Sequence, residues 1–235
     1  MIRLEGLTRS FDGRFTLGPL SLEFGTGVTC VVGPNGAGKT TLFGLIAGLD
    51  RPTSGRVVIE GSVRGVGFLP QVFRLPPRAT CRQFLEYVAW LHKVPKASRG
   101  GRVDRVLEAV GLEDRAGRPI GELSGGMVRR LGIAQALVHD PALVLLDEPT
   151  AGLDPVQRVV LRDLVGSLAG ERGILVSTHL VEDIRGLAER VVVLNQGEVL
   201  FDGSVAELQA LAVPDTPGGS DLERALSRLI LQEGR

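Results

Sequence analysis

An α/β fold, with a parallel sheet flanked by helices, an antiparallel β region in front of it and an α-helical subdomain inserted into it, is predicted by three features of this 235-residue sequence. A glycine-rich turn, Gly33-Pro34-Asn35-Gly36-Ala37-Gly38-Lys39-Thr40-Thr41, separates the apolar run 28–32 from a helical stretch. The second half alternates short apolar strands with helices, the pattern of a parallel sheet carrying helices on its faces. Between these parts, over about 73–139, apolar residues recur at helical spacing.

Taken in order, β-prone pieces at 2–7, 20–24 and 28–32 are separated by turns at Asp12-Gly13, Gly18-Pro19 and Gly25-Thr26-Gly27. They predict a small antiparallel region feeding the strand before the glycine-rich turn. A helix is expected over 41–49 and strands over 57–60 and 66–69, with Gln71 just beyond the last. In the inserted stretch Phe84, Val88 and Leu91 share one helical face, and Val103, Val106, Leu107 and Val110 share another. Val94-Pro95-Lys96-Ala97-Ser98-Arg99-Gly100-Gly101, with little to bury, is expected to be a mobile loop. Strands return at 142–146, 174–177 and 190–194, with helices near 155–169 and 181–187. Asn195-Gln196-Gly197 predicts a hairpin into 198–201, and Ser204 is a cap for a helix over 205–211. After a break at 214–219, a last amphipathic helix over 221–231 carries Leu222, Leu226, Leu229 and Ile230 on one side, suited to packing on the body or on a partner. The whole chain reads as one domain, 1–235, with the helical subdomain at 73–139 and a C-terminal helical extension at 204–235.

Lys and Arg together number 27 and so do Asp and Glu, so no global field selects nucleic acid or an anionic membrane surface. Two cysteines, Cys30 and Cys81, make no disulfide framework and fit a reducing compartment. No signal peptide is visible and no apolar run approaches the ~20 residues of a spanning helix, so a soluble or peripheral protein is expected.

The chemistry converges on phosphate. In the turn 33–41, glycines let the backbone wrap an anion and aim N–H groups at it, while the following helix presents its positive end. Lys39 is placed to neutralise β and γ phosphates, Thr40 to offer its hydroxyl to Mg2+, and Thr41 to reach the α phosphate. The run Leu143-Leu146 passes straight into Asp147-Glu148-Pro149, as a buried parallel strand delivering carboxylates to its C-terminal edge would. Asp147 is expected to hold Mg2+ through water, and Glu148 to polarise a water for attack on the γ phosphate. Leu123-Ser124-Gly125-Gly126-Met127 opens a further helix and places a hydroxyl and exposed N–H groups at its positive end, a second anion site. One phosphate site already exists, so this surface is read as completing the nucleotide site of a second copy.

With these motifs in this order, the chain resembles the nucleotide-binding subunit of an ABC transporter over nearly its whole length. The resemblance implies a P-loop NTPase core that binds ATP and Mg2+ and hydrolyses ATP, with ATP held between two head-to-tail copies, so that Ser124 and Gly126 meet the γ phosphate in trans, with Gly125 in the same nucleotide-binding motif. It implies that Gln71 is the glutamine-loop residue sensing the γ phosphate and Mg2+ where a membrane subunit docks. Asp154, in Ala151-Gly152-Leu153-Asp154, resembles the D-loop aspartate that reports dimer closure, and His179 resembles the switch histidine that orients the attacking water. Phe11 lies where the family places an aromatic that stacks on adenine, with Phe15 the competing candidate. His92 and His139 match no motif and are read as structural or exposed. Met127 departs from the usual glutamine, and Leu-Ser-Gly-Gly-Met followed by Arg129-Arg130-Leu131 resembles the ABC-2 exporter subgroup, drug-resistance ATPases included.

The implied protein is a peripheral ATPase at the cytoplasmic face of the membrane, a homodimer or paralogue heterodimer bound to a separately encoded transmembrane permease and driving export. The rival reading is a soluble regulatory or chromosome-associated ATPase of the same superfamily. Against it, the chain has neither a second such domain nor a coiled-coil insertion. A GTPase or small-molecule kinase would leave Ser124 to Met127 and His179 unexplained, and no Asn-Lys-x-Asp guanine reader is present.

Overall fold

The computed structural model of the chain describes residues 1–11, 13–59, 65–170 and 172–232. Asp12 in the expected first turn, Glu60 at the end of an expected strand and the last residues of the expected C-terminal extension lie outside them.

A six-stranded sheet carries the site. It contains β3 (Gly27–Val32), β5 (Val66–Leu69), β6 (Leu143–Asp147), β7 (Gly173–Thr178), β8 (Arg190–Asn195) and β9 (Glu198–Ser204), in the order β5-β6-β7-β3-β8-β9. All neighbours are parallel except β9, which pairs antiparallel with β8 at the edge. The uninterrupted apolar runs have a simple cause, since both faces of these strands are buried. Val28, Cys30 and Val32 of β3, Val144 and Leu146 of β6, and Ile174 and Val176 of β7 enter one core. Val31, Leu143, Leu145 and Leu175 enter the other. Each such side chain contributes roughly 1.5–3 kcal/mol when fully buried.

The second core is closed by an antiparallel sheet, β2-β1-β4, made of β1 (Ile2–Phe11), β2 (Phe15–Phe24) and β4 (Ser54–Ile59). Its strands are longer than the sequence suggests, and the expected turn at Gly18-Pro19 is absent. Those residues lie within β2, where register shifts in the β1–β2 ladder absorb the irregularity. Helix α1 (Lys39–Ile46) fills the space between this sheet and the main one, through Leu42, Phe43, Leu45 and Ile46.

The inserted stretch folds as α2 (Cys81–Leu91), α3 (Lys96–Ala109) and α4 (Gly125–Leu137), with short 3-10 turns at Glu113–Arg115 and Ile120–Glu122. The expected mobile loop at 94–101 is not a loop, because Lys96 onward forms the first turns of α3. Pro95 caps that helix, Ser98 Oγ donates to the Pro95 carbonyl at 3.0 Å, and Arg99 Nε donates to the Val94 carbonyl at 2.8 Å. Proline suits a helix start because its fixed φ matches the helix and its missing N–H is not needed there. Val103 and Leu107 anchor α3 in the core, which outweighs the cost of Gly100 and Gly101. Leu91, expected on the buried face of α2, is 53% exposed because α2 ends there and His92 turns the chain away.

Helices α5 (Pro155–Leu168) and α6 (Val181–Leu187) follow β6 and β7, as expected. Gln196 and Gly197, both at positive φ, make the β8–β9 turn. Ser204 and Glu207 form a reciprocal capping box at the start of α7 (Val205–Gln209). The last helix, α8 (Asp221–Gln232), buries Leu222, Ala225 and Leu226 against the body. Cys30 and Cys81 are buried free thiols, their pKa values raised chiefly by burial. Among the described residues no helix is long and apolar enough to cross a membrane.

Candidate nucleotide site

Strand register assembles the site. Val32 pairs with Thr178 and Asp147 with Ser177, so the chain leaves β3, β6 and β7 at one sheet edge. Ligands of open α/β sheets bind at that edge. The loop after Val32 turns through Gly36 at φ 82° and Gly38 at φ 107°, conformations that disfavour a Cβ. At Gly33 a Cβ would lie 2.0 Å from the Leu194 carbonyl oxygen, so the loop cannot rest on β8 with any larger residue. Helix α1 has no side-chain cap, and its N-cap is Gly38. Its first N–H groups therefore have no side-chain acceptor, which suits an anion.

Lys39 is buried, and its Nζ donates to the Gly33 carbonyl at 2.7 Å and the Pro34 carbonyl at 2.9 Å. Burial pulls its pKa down, while the charges of Glu148 and Asp147 push it back up. The ammonium is thus held over the loop by neutral carbonyls, opposite the two carboxylates. An open pocket of about 630 Å³ runs from here past Asn35, Gly36, Gly38, Thr40 and Thr41 to Gln71 and Glu148, with Phe11 and Phe15 on its far wall.

Glu148 follows β6 at φ 45°, an uncommon conformation for a residue with a side chain. It is held from several directions. Its N–H donates to the Ser177 hydroxyl at 2.8 Å, Gln71 Nε2 donates to Oε2 at 2.9 Å, and His179 Nδ1 lies 3.2 Å from Oε1. The side chain is only 12% exposed. Ser177 also donates to Asp147 Oδ1, whereas Asp147 Oδ2 is buried with no hydrogen-bond partner. An unsatisfied buried carboxylate oxygen is costly unless something answers it, and a hydrated cation is a suitable answer. Asp147, whose charge reaches Lys39, together with Thr40 and Gln71, which line the pocket, therefore fits a Mg2+ site.

The structure brings the phosphate loop, Gln71, Asp147, Glu148 and His179 together. It does not bring Ser124, Gly125, Gly126 or Asp154 to them. Ser124 caps α4, accepting from Met127 N at 3.4 Å, and Asp154 caps α5, accepting from Gln157 N at 2.8 Å. Ser124, Gly126, Met127, Leu153 and Val156 line a separate pocket. Phe11 is 37% exposed, with the Arg9 guanidinium 4.8 Å from its ring and Phe15 at 6.4 Å between centroids. Phe15 lies against the loop, where a Cβ on Gly38 would meet its ring at 3.0 Å.

Sequence reasoning missed three supports. Asp183 of α6 is buried and accepts from Thr150 Oγ1 at 2.7 Å and Thr178 Oγ1 at 2.8 Å, tying the chain after Glu148 to the chain before His179. Ser177 joins the two carboxylate residues. Arg129 donates from Nη1 to the Gln71 carbonyl and from Nη2 to the Ala151 carbonyl, both at 3.1 Å. The only available hint was polarity at the end of an apolar strand, in Ser177-Thr178. Asp183 reads in sequence as an ordinary acidic residue in the first turn of a helix.

Comparison with known proteins gives this geometry its relatives. An uncharacterized ABC transporter ATP-binding protein of Bacillus subtilis, YxlF, is 35% identical over 214 residues, covering 89% of this chain and 72% of YxlF. The methionine import ATP-binding protein MetN of Corynebacterium diphtheriae is 38% identical, covering 88% of this chain and 67% of MetN. The daunorubicin resistance ATP-binding protein DrrA3 of Streptomyces coeruleorubidus is 36% identical, covering 89% of this chain and 70% of DrrA3. The solved ATP-binding subunit of an ABC transporter shares the fold, with a TM-score of 0.78 at 24% identity over 89% of this chain and 92% of that one. A family model described as ABC transporter matches residues 17–151, and with these relatives it shows that the chain belongs to the ABC transporter family.

Proposed function

We propose that this chain is the ATP-hydrolysing subunit of an ABC transporter, working as a head-to-tail pair on a separately encoded membrane subunit at the cytoplasmic face and driving export. The observation that carries the hydrolytic part is Glu148, its carboxylate held between Gln71 and His179 at the strand edge beside Lys39. The backbone N–H groups of 33–41 and the Lys39 ammonium bind and orient the triphosphate. Asp147, Thr40 and Gln71 would hold Mg2+, which when bound would supply charge neutralisation on the phosphates. Glu148 takes the proton of the attacking water, and His179 orients that water and contacts the γ phosphate. Catalysis here is mostly positioning and charge stabilisation, which explains why so many contacts converge on one carboxylate.

Two features support the pair. Ser124, Gly125 and Gly126 form an anion-suited helix start on a different face from the phosphate loop, and Val156, Val159 and Val160 beside it are 73%, 47% and 49% exposed. Export rests on Leu123-Ser124-Gly125-Gly126-Met127 and on likeness to DrrA3, named for drug resistance. MetN, of comparable likeness, is named for import, so direction is the first thing to test.

The test is affinity capture of tagged Glu148→Gln protein from gently solubilised native membranes in Mg-ATP, with Lys39→Ala as control and mass spectrometry of what co-purifies. A stoichiometric multi-span protein, recovered with Glu148→Gln and lost with Lys39→Ala, is expected, and its topology separates exporter from importer. Recovery of soluble or nucleic-acid partners alone, with the tagged chain absent from membranes, moves the reading to a soluble ATP-gated clamp.

A further inference from the structure

Arg129 lies one turn into α4, and its guanidinium meets two segments far apart in sequence. Nη1 reaches the main-chain carbonyl of Gln71, Nη2 that of Ala151, and the cation stands 5.3 Å from the centre of the Phe73 ring. Both carbonyl owners also touch Glu148. The Gln71 side chain donates to Glu148 Oε2, and Ala151 N donates to the Glu148 carbonyl at 3.1 Å. One planar group thus braces both the segment that bonds the Glu148 carboxylate and the segment that bonds its main-chain carbonyl. Burial lowers the Arg129 pKa and the charge of Glu148 opposes that shift, so the two groups also sense each other electrostatically. A neighbouring arginine shows that this arrangement is particular: Arg130 spends its Nη1 on the Val110 and Gly111 carbonyls, inside the helical lobe.

We propose that Arg129 is a positioning residue for hydrolysis, its fork tying the start of α4 to the two segments that hold Glu148, so that movement of the helical lobe is transmitted to the hydrolytic carboxylate. The proposal rests on the hydrolysis reading above and adds to it the route by which the lobe acts on the site. An arginine is suited to this work because its five donors sit in a fixed plane, so two acceptors are held in one geometry, whereas a lysine's three donors all radiate from one nitrogen on a flexible stem. Guanidinium to main-chain carbonyl bonds survive any change of side chain at positions 71 and 151. The coupling therefore runs through the backbone and reaches Glu148 through the Gln71 amide and the Ala151 N–H.

The experiment compares full-length wild type, Arg129→Ala, Arg129→Lys, Gln71→Ala, the Arg129→Ala/Gln71→Ala double variant and Glu148→Gln in steady-state Mg-ATP hydrolysis. Thermal melting and direct binding of a fluorescent ATP analogue are measured on each. Displacing a reacting group by a fraction of an ångström to an ångström costs about 10-fold to 100-fold in rate, so kcat of Arg129→Ala is expected to fall by at least about 10-fold with KM and analogue affinity within about twofold. Arg129→Lys is expected to leave most of that loss in place. Because the Gln71 amide is one of the two routes by which Arg129 reaches Glu148, the loss in the double variant is expected to be smaller than the product of the single losses. Wild-type kcat in Arg129→Ala, full recovery by lysine, or a multiplicative double variant overturns the proposal. Should Arg129→Ala melt early, Arg129→Lys, which keeps the charge and the stem, decides alone. Wild-type turnover that Glu148→Gln abolishes establishes the hydrolysis reading in the same assay, so a normal Arg129 variant counts only against the coupling. A wild type without turnover overturns hydrolysis and the coupling together.

Discussion

Two helices in this molecule begin with glycine-rich turns, and they are built differently. At α1 the N-cap is Gly38 in a left-handed conformation with no side-chain cap, and behind the turn stand Lys39, Asp147, Glu148 and His179. At α4 the N-cap is Ser124 in an extended conformation, its hydroxyl accepting from Met127 N, and the surroundings are Met127, Leu153, Val156 and Gln157. The first start has charge of both signs and an unsatisfied carboxylate oxygen close by. The second has a hydroxyl whose proton is still free to be donated, and the charged residue lining its pocket is Arg130, whose Nη1 is engaged by the Val110 and Gly111 carbonyls and which supplies no base. A helix start alone is half of a phosphate site, and its neighbours decide whether it is the reacting half.

The largest expected effect tests the first half. Glu148→Gln preserves shape and the hydrogen bond with Gln71 but removes the base, so turnover is expected to fall by about 10²-fold to 10⁴-fold with ATP affinity little changed. Steady-state hydrolysis beside equilibrium nucleotide binding measures both quantities. Retained turnover would strip Glu148 of its role. With hydrolysis stopped, sedimentation in saturating Mg-ATP is also expected to show a dimer.

Gly125→Asp tests the second half. No atom lies within 4 Å of where a Cβ on Gly125 would stand, and an acidic residue in a first helical turn is favourable, so the fold should tolerate it. A carboxylate facing a partner's γ phosphate costs several kcal/mol. Turnover is therefore expected to drop by at least about 30-fold while the variant alone still binds ATP at its own phosphate loop. Unchanged hydrolysis in Gly125→Asp would mean that the α4 start meets no nucleotide, and the head-to-tail pair would fall.

How legible these regions were in the sequence follows from how local their causes are. The phosphate loop, Asp147 and Glu148 were readable because a conformational demand and a strand run announce themselves within nine and six residues. The parallel sheet was readable because burial on both faces leaves apolar runs in β3, β6 and β7. The start of α3 was not, since Lys96 to Gly101 is polar and glycine-rich and only the later packing of Val103 and Leu107 makes it helical. Arg129 and Asp183 were hidden for a different reason. Their partners lie 58, 22, 33 and 5 residues away, and a guanidinium on main-chain carbonyls leaves no complementary residue type to notice. The family resemblance supplied the expectation of a trans role for Ser124 to Gly126, which one chain's geometry does not test.

Comparing the two helix starts requires a pH at which the lobe bearing α4 is secure. His139, just past α4, is 5% exposed, stacks on His92 at 3.8 Å between ring centres, and has no hydrogen-bond partner for either ring nitrogen. Burial first, then the His92 ring and Arg102, pull its pKa down to about 4, against smaller opposing effects of the nearby Val66 backbone and of Asp140. Asp140 itself lies 3.8 Å from Arg102 and 3.6 Å from Arg172. With the folded value below the unfolded 6.5, the unfolded chain binds the proton first as acid is added. Stability is thus fully present above about pH 6.5, falls between 6.5 and 4, and by pH 5 the loss is about 2 kcal/mol. Chemical denaturation at pH 7.5 and 5 is expected to show that loss in wild type and a smaller one in His139→Phe. An equal loss in both would clear His139 as its source.

The smallest expected effect concerns which aromatic belongs to the first site. Phe11 offers an exposed ring, but Arg9 already stands against it, whereas Phe15 is packed toward Gly38 and shapes the loop itself. Stacking of a base on an aromatic side chain contributes about 1–3 kcal/mol, and a ring already engaged by a guanidinium should give the low end. Phe11→Ala is therefore expected to weaken ATP binding about fivefold, to weaken GTP about equally because stacking reads no base edge, and to leave triphosphate and Mg2+ dependence as they were. Phe15→Ala, by loosening the turn at Gly38, should instead weaken ATP and inorganic triphosphate alike. Competition binding with ATP, GTP and triphosphate on the two variants separates a ring that holds the base from a ring that holds the loop. A Phe11→Ala protein that loses triphosphate as strongly as ATP would assign the loop-shaping part to Phe11 and leave the base to Phe15.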